Sequence, residues 1–113
     1  MKVKEIVKMT VDELLDAGRI KYDTEMAYHF INVKLAEYYS GGSESKAEFD
    51  RLSEAIEKIK DDEYSNVLRL YYREGHTIEE IAEILDRDMR TISRNKKRLC
   101  LKVYEEAYKD VPL

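Results

Sequence analysis

The chain is poor in the residues that interrupt or staple a fold. Its 113 residues hold one proline, Pro112, and four glycines, so long uninterrupted helices are open to it. A single cysteine, Cys100, excludes an intrachain disulfide, and its place between Leu99 and Leu101 reads as a small buried hydrophobe. His29 and His76 have no cysteine or carboxylate at metal-ligand spacing, which leaves a zinc site little support. The sequence offers no glycine-rich loop to cradle a phosphate and no nucleophile paired with a base. Glu79, Glu80 and Glu83 fall on one face of a short helix, where solubility explains them better than acid–base chemistry. Enzyme activity, a metal and a cofactor are therefore not expected. No apolar run approaches membrane-spanning length, and MKVKEIVKMTVDELL lacks the apolar core of a signal peptide, so a cytoplasmic protein without membrane contact is expected.

What the chain does have is helix-forming pattern. With 43% hydrophobic and 39% charged residues it suits one compact all-α unit, or a small domain with a helical appendage. The strongest local signal is TIEEIAEILDRDMRTISRNKKR, from Thr77 to Arg98. Gly75 can end a preceding helix in the left-handed conformation, and Thr77 with Glu80 forms a capping box that opens the next. Ile78, Ile81, Ala82 and Leu85 recur at offsets of a single helix face, and Asp86-Arg87-Asp88 carries turn and cap chemistry. A second helix should begin near Met89, with Met89, Ile92, Leu99 and Val103 as its buried stripe. Arg90, Thr91, Ser93, Arg94, Lys97 and Arg98 are left for the outside. Two short helices about a tight turn, the second densely basic, are the sequence form of a helix-turn-helix that lays one helix in the DNA major groove.

Charge distribution supports that reading more than total charge does. Between Arg87 and Lys102 stand seven Lys and Arg against the lone acid Asp88, a net of plus six; the whole chain is minus four, so the remainder sums to minus ten. An acidic body with one basic face avoids indiscriminate binding yet can neutralise phosphates locally. A solvated basic face would carry the same charge, and it is the combination with the capped two-helix spacing that favours duplex DNA.

The run from Asp61 to Ala107, DDEYSNVLRLYYREGHTIEEIAEILDRDMRTISRNKKRLCLKVYEEA, resembles region 4 of bacterial sigma factors. In RTISRNKKRLCLKVYE it is more similar still to the small sigma-like regulators of phages from Gram-positive bacteria, the ArpU and RinA type of late-transcription activator. The resemblance implies that Arg90, Thr91 and Arg94 face bases, and that Thr77, Lys97 and Arg98 lie on the phosphate side. Arg87, in the turn, belongs to the same DNA-facing set. The chain departs from the family pattern at that turn. Asp86 and Arg87 stand where Gly and an aliphatic residue are usual, so Arg87 would have to lay its stem over the core.

The N-terminal half is organised as helices too. Thr10 and Glu13 have the spacing of a capping box, which should open a short helix ending at Gly18, and a longer helix is expected from about Thr24 to about Tyr39. The longer helix carries Tyr28, Ile31, Leu35 and Tyr38 on one stripe and Met26, Phe30 and Val33 on another. A helix apolar on two sides must be buried between neighbours or shared with a second copy. Gly41 to Ser45 is the one linker-like stretch, dividing a helical region 1–42, for packing or dimerisation, from a DNA-binding region 43–113. Ser45 and Glu48 cap a helix with Phe49, Leu52, Ile56 and Ile59, and Asp61 or Asp62 should start the next, carrying Tyr64, Val67, Leu68 and Tyr71 inward. Nine tyrosines suit core margins and interfaces alike. From Leu99 to Tyr108 apolar residues wrap most of the last helix, which should dock on the N-terminal helices or on a second copy. The expected function is sequence-specific regulation of transcription by an all-α DNA binder, with a homodimer as its candidate assembly. A sigma-like subunit that also contacts RNA polymerase, and a phage interaction module that inhibits a host factor, are the alternatives.

Overall fold

The computed structural model of the protein describes residues 20–41 and 45–109, with side chains of the first helix from Thr24 on. The expected helix at Thr10–Gly18 and the boundary at residues 42 and 43 lie outside the described residues. Among the described residues every regular element is helical: α1 (Ile20–Tyr39), α2 (Lys46–Lys58), α3 (Asn66–Leu68, continued by a π-helical turn over Arg69–Arg73), α4 (Ile78–Leu85) and α5 (Met89–Tyr108).

Helix α5 is the axis of the fold, packing against α1, α2, α3 and α4. Its buried residues Ile92, Lys96, Leu99, Cys100, Val103 and Ala107 follow helical spacing along one side. The larger core lies around the C-terminal half of α5, where Leu99, Cys100, Val103 and Ala107 meet Ile31 and Leu35 of α1, Leu52 and Ala55 of α2, Ile59 and Leu68. The inward side of the last helix's apolar end is thus covered by the same chain, while Leu101, Tyr104 and Tyr108 stay part-buried. Tyr38 of α1 shares a 2.8 Å hydrogen bond with Ser53 of α2, and Lys34 pairs with Glu48 at 3.0 Å. A smaller core of Val67, Leu70, Ile81, Ala82 and Ile92 holds α4 against the start of α5, and Tyr64 packs against both cores.

Several expectations need correction. Asp62 does not open a helix. Its carboxylate accepts from the Tyr64 amide at 2.9 Å, which closes a turn, so α3 begins only at Asn66. The Glu74 amide then reaches the Arg69 carbonyl, five residues back, at 3.1 Å. The widened turn lets Tyr71 pack on the smaller core while Tyr72 packs on the larger. Met89, expected in the buried stripe, is 48% exposed because it is the first residue of α5 and precedes the crossing with α4. Phe49 is likewise exposed, stacked on Tyr38 at the core margin. The second stripe of α1 is uncovered: Met26, Phe30 and Val33 are exposed while Ile31 and Leu35 are fully buried.

Candidate nucleic-acid interface

The two helices about the tight turn are built as their caps dictate. Thr77 accepts from the Glu80 amide at 3.1 Å, and Glu80 accepts from the Thr77 amide at 2.9 Å, completing the capping box. The Thr77 amide, donating to the charged form, is the main cause that holds the Glu80 carboxyl below its ordinary range. Ahead of the box, Gly75 ends the π turn at φ +73°. Helix α4 closes with Asp86 in the left-handed region, φ 54° and ψ 53°; the Arg87 amide bonds the Ala82 carbonyl at 2.9 Å and the Asp86 amide bonds that of Glu83 at 3.2 Å. Asp88 then caps α5 by accepting from the Arg90 amide at 3.0 Å. Three residues, Asp86 to Asp88, thus join α4 to α5, with a cap at each side of the turn.

On α5 two neighbouring rows leave the core. Arg90, Arg94 and Lys97, spaced by four and three, run along the side opposite the buried residues, and Thr91, Asn95 and Arg98, at the same spacing, run along its flank. Arg90, Ser93 and Arg94 are exposed, and Arg90 and Arg94 make no ion pair among the described residues. Thr91 is half-buried, and its carbonyl accepts from Asn95 at 2.8 Å. The same asparagine accepts from Arg98 Nε at 2.9 Å. Thr77, at the start of α4, is exposed but spends its hydroxyl oxygen on the cap.

The remaining cations of the set are partnered. Arg98 forks onto Asp62 with bonds of 3.0 and 2.9 Å, and the guanidinium holds that carboxyl below its ordinary range. Lys97 pairs with Glu25 of α1. Arg87 lies 3.7 Å from Glu63, so its head, like that of Arg98, turns toward the loop between α2 and α3. The structure therefore brings Arg90, Thr91, Ser93 and Arg94 together as an open patch, with Lys97 and Arg98 adjoining it and a carboxylate beside each of these two.

One residue of this helix was not singled out by sequence reasoning. Lys96 is only 4% exposed, donates to the Tyr28 hydroxyl at 2.7 Å and to Asn32 Oδ1 at 3.4 Å, and lies 4.3, 4.9 and 5.1 Å from the ring centres of Tyr71, Tyr28 and Tyr72. Tyr72 donates to the same Asn32 oxygen and stands 3.5 Å from Cys100 Sγ. Burial depresses the Lys96 ammonium and raises the Tyr72 and Tyr28 phenols. The signal was present in the spacing, because Lys96 lies four residues after Ile92 and four before Cys100. Through this cage α1 grips the middle of α5, just beyond the open patch. No group of metal-binding side chains occurs among the described residues. Comparison with protein-family models, with curated proteins and with solved structures returned no match of any kind.

Proposed function

We propose that the protein is a sequence-specific regulator of transcription that binds duplex DNA by laying the N-terminal half of α5 in the major groove. The observation that carries this reading is the open patch itself: Arg90 and Arg94, one turn apart and without ion pairs among the described residues, on a helix whose opposite side is fixed in two cores. Two unpaired guanidinium forks at that spacing suit guanine edges, and Thr91 and Ser93 suit either bases or phosphates. The likeness of residues 61–107 to sigma region 4 and to phage late-gene activators of the ArpU and RinA type supports the same docking and suggests the biological setting. A second copy is the natural partner, since a dimer would pair two half-sites, and the uncovered stripe Met26, Phe30 and Val33 offers a surface for it.

Selection of bound fragments from a randomised duplex library tests the reading. The purified protein should return a defined motif, and Arg94→Ala should flatten one base position, a loss of about 1–3 kcal/mol of discrimination, more than it lowers affinity for random duplex. No salt-sensitive binding to any duplex would overturn the proposal.

A further inference from the structure

The two cations that adjoin the open patch, Lys97 and Arg98, are consecutive, so they project about 100° apart around α5 and mark its two edges. At each edge a different part of the fold supplies a carboxylate. Glu25 comes from α1, 72 residues away in sequence, and Asp62 from the turn before α3, 36 residues away. Asp62 engages Arg98 by two parallel N–H···O bonds of 2.9 and 3.0 Å, the geometry in which a guanidinium would otherwise take a phosphate. Asp62 is itself fixed by the Tyr64 amide, and Arg98 by Asn95, so neither partner is a loose surface side chain.

We propose that Glu25 and Asp62 set the DNA specificity of this protein by standing in for phosphate at Lys97 and Arg98. The inference rests on the DNA-binding reading above. Phosphate contacts give affinity for every sequence, whereas base contacts give discrimination. A cation already neutralised by a carboxylate adds little to the first, because reaching a phosphate means giving up the pair and leaving a carboxylate beside another anion. Arg90 and Arg94 have no such partner among the described residues and keep their charge for the groove. Glu25 and Asp62 therefore act through their partner cations as positioning residues that hold down nonspecific binding.

Glu25→Gln and Asp62→Asn remove one negative charge each at nearly constant shape. Titrations against random duplex and the selected site, at several salt concentrations, should show random-duplex affinity rising several-fold in each variant. The salt slope should steepen by about one unit per freed cation, and the ratio of specific to random affinity should fall. In the double variant Asp62→Asn/Arg98→Ala, affinity and slope should return close to wild type, since the pair as a whole contributes little. Glu54→Gln, an exposed charge of α2, should change neither. Thermal melts identify any variant that is misfolded, and Glu25, exposed on α1, gives a test free of the turn that Asp62 closes. The proposal is overturned if the freed-cation variants bind random duplex no better than wild type, if Glu54→Gln gives the same gain, or if the double variant is as weak as Arg98→Ala alone. In those outcomes wild-type binding still stands. If neither wild type nor any variant binds duplex, the DNA-binding reading falls and this inference with it.

Discussion

Lys96 sits in the interior with aromatic faces and hydroxyls around it and, among the described residues, no carboxylate paired with it: Tyr28 and Asn32 approach from α1, Tyr71 and Tyr72 from the π turn, and Cys100 from the next turn of its own helix. Burial lowers its ammonium below the ordinary lysine value, so the folded chain holds the proton less tightly than the unfolded chain. Stability contributed by this residue must then increase as pH rises from the lowered value toward about 10.4. The buried tyrosines act with the opposite sign. Tyr39 is raised to about 12 and Tyr28 and Tyr72 are raised too, so their contribution is complete below pH about 10 and is lost above it. Chemical denaturation of wild type and Lys96→Met at several pH values up to about 10.4, with the tyrosines common to both chains, isolates the lysine. The stability of wild type relative to Lys96→Met should climb over that interval, and parallel curves would show that the cage does not perturb the lysine. Asp86 gives a second expectation at this scale. It holds φ 54° with a side chain, a conformation that costs a non-glycine residue roughly 1–2 kcal/mol, partly relieved for Asp. Asp86→Gly should raise the melting temperature, by about 1 kcal/mol in stability, without altering the DNA motif.

At the scale of elements, α4 and α5 were legible because their ends are written in short-range chemistry. Thr77, Glu80, Asp86 and Asp88 each act within three or four residues, and the periodic Ile81, Ala82 and Ile92 close the smaller core as their spacing requires. The start of α3 was not legible, because Asp62 serves equally as a helix cap or a turn former, and the Arg98 that shares its carboxylate with the turn lies 36 residues away. The π turn escaped for a related reason: the extra residue is accommodated by the different cores that receive Tyr71 and Tyr72, which no local pattern encodes. Of the candidate patch, the sequence revealed which residues are basic and which row they occupy. It did not reveal that Glu25, Asp62 and Glu63 face three of them, since those contacts are all long-range. The smaller core also yields a test. Ile92→Ala removes a fully buried side chain where α5 crosses α4 and should cost about 2–5 kcal/mol in urea denaturation. A loss below about 1 kcal/mol would mean that the α4–α5 crossing is not held by this core.

Across the whole molecule α5 does two jobs along its length. Its 20 residues span about 30 Å, the N-terminal half carrying the open basic patch and the C-terminal half buried against α1 and α2. Any change in how α1 sits must therefore act on the helix that carries the patch, through Lys96 in the middle and Lys97–Glu25 at its edge. This makes the uncovered stripe of α1 consequential. Met26 is 57%, Phe30 40% and Val33 47% exposed, and the Phe30 ring meets Tyr104 and Tyr108 edge-on at 5.9 and 5.3 Å, so the apolar surface continues from α1 onto the end of α5. If a second copy covers it, the protein should sediment as a dimer and protect an inverted repeat, and its melting temperature should rise with protein concentration, because association stabilises by mass action. Val33→Lys should separate interface from core. Half-exposed as Val33 is, a charge there leaves the folded chain intact but blocks an apolar seam, so the variant should sediment as a folded monomer whose melt no longer depends on concentration. A wild-type protein that stays monomeric at every concentration, with a melt that does not move, would remove the second copy and leave each chain to bind a single half-site.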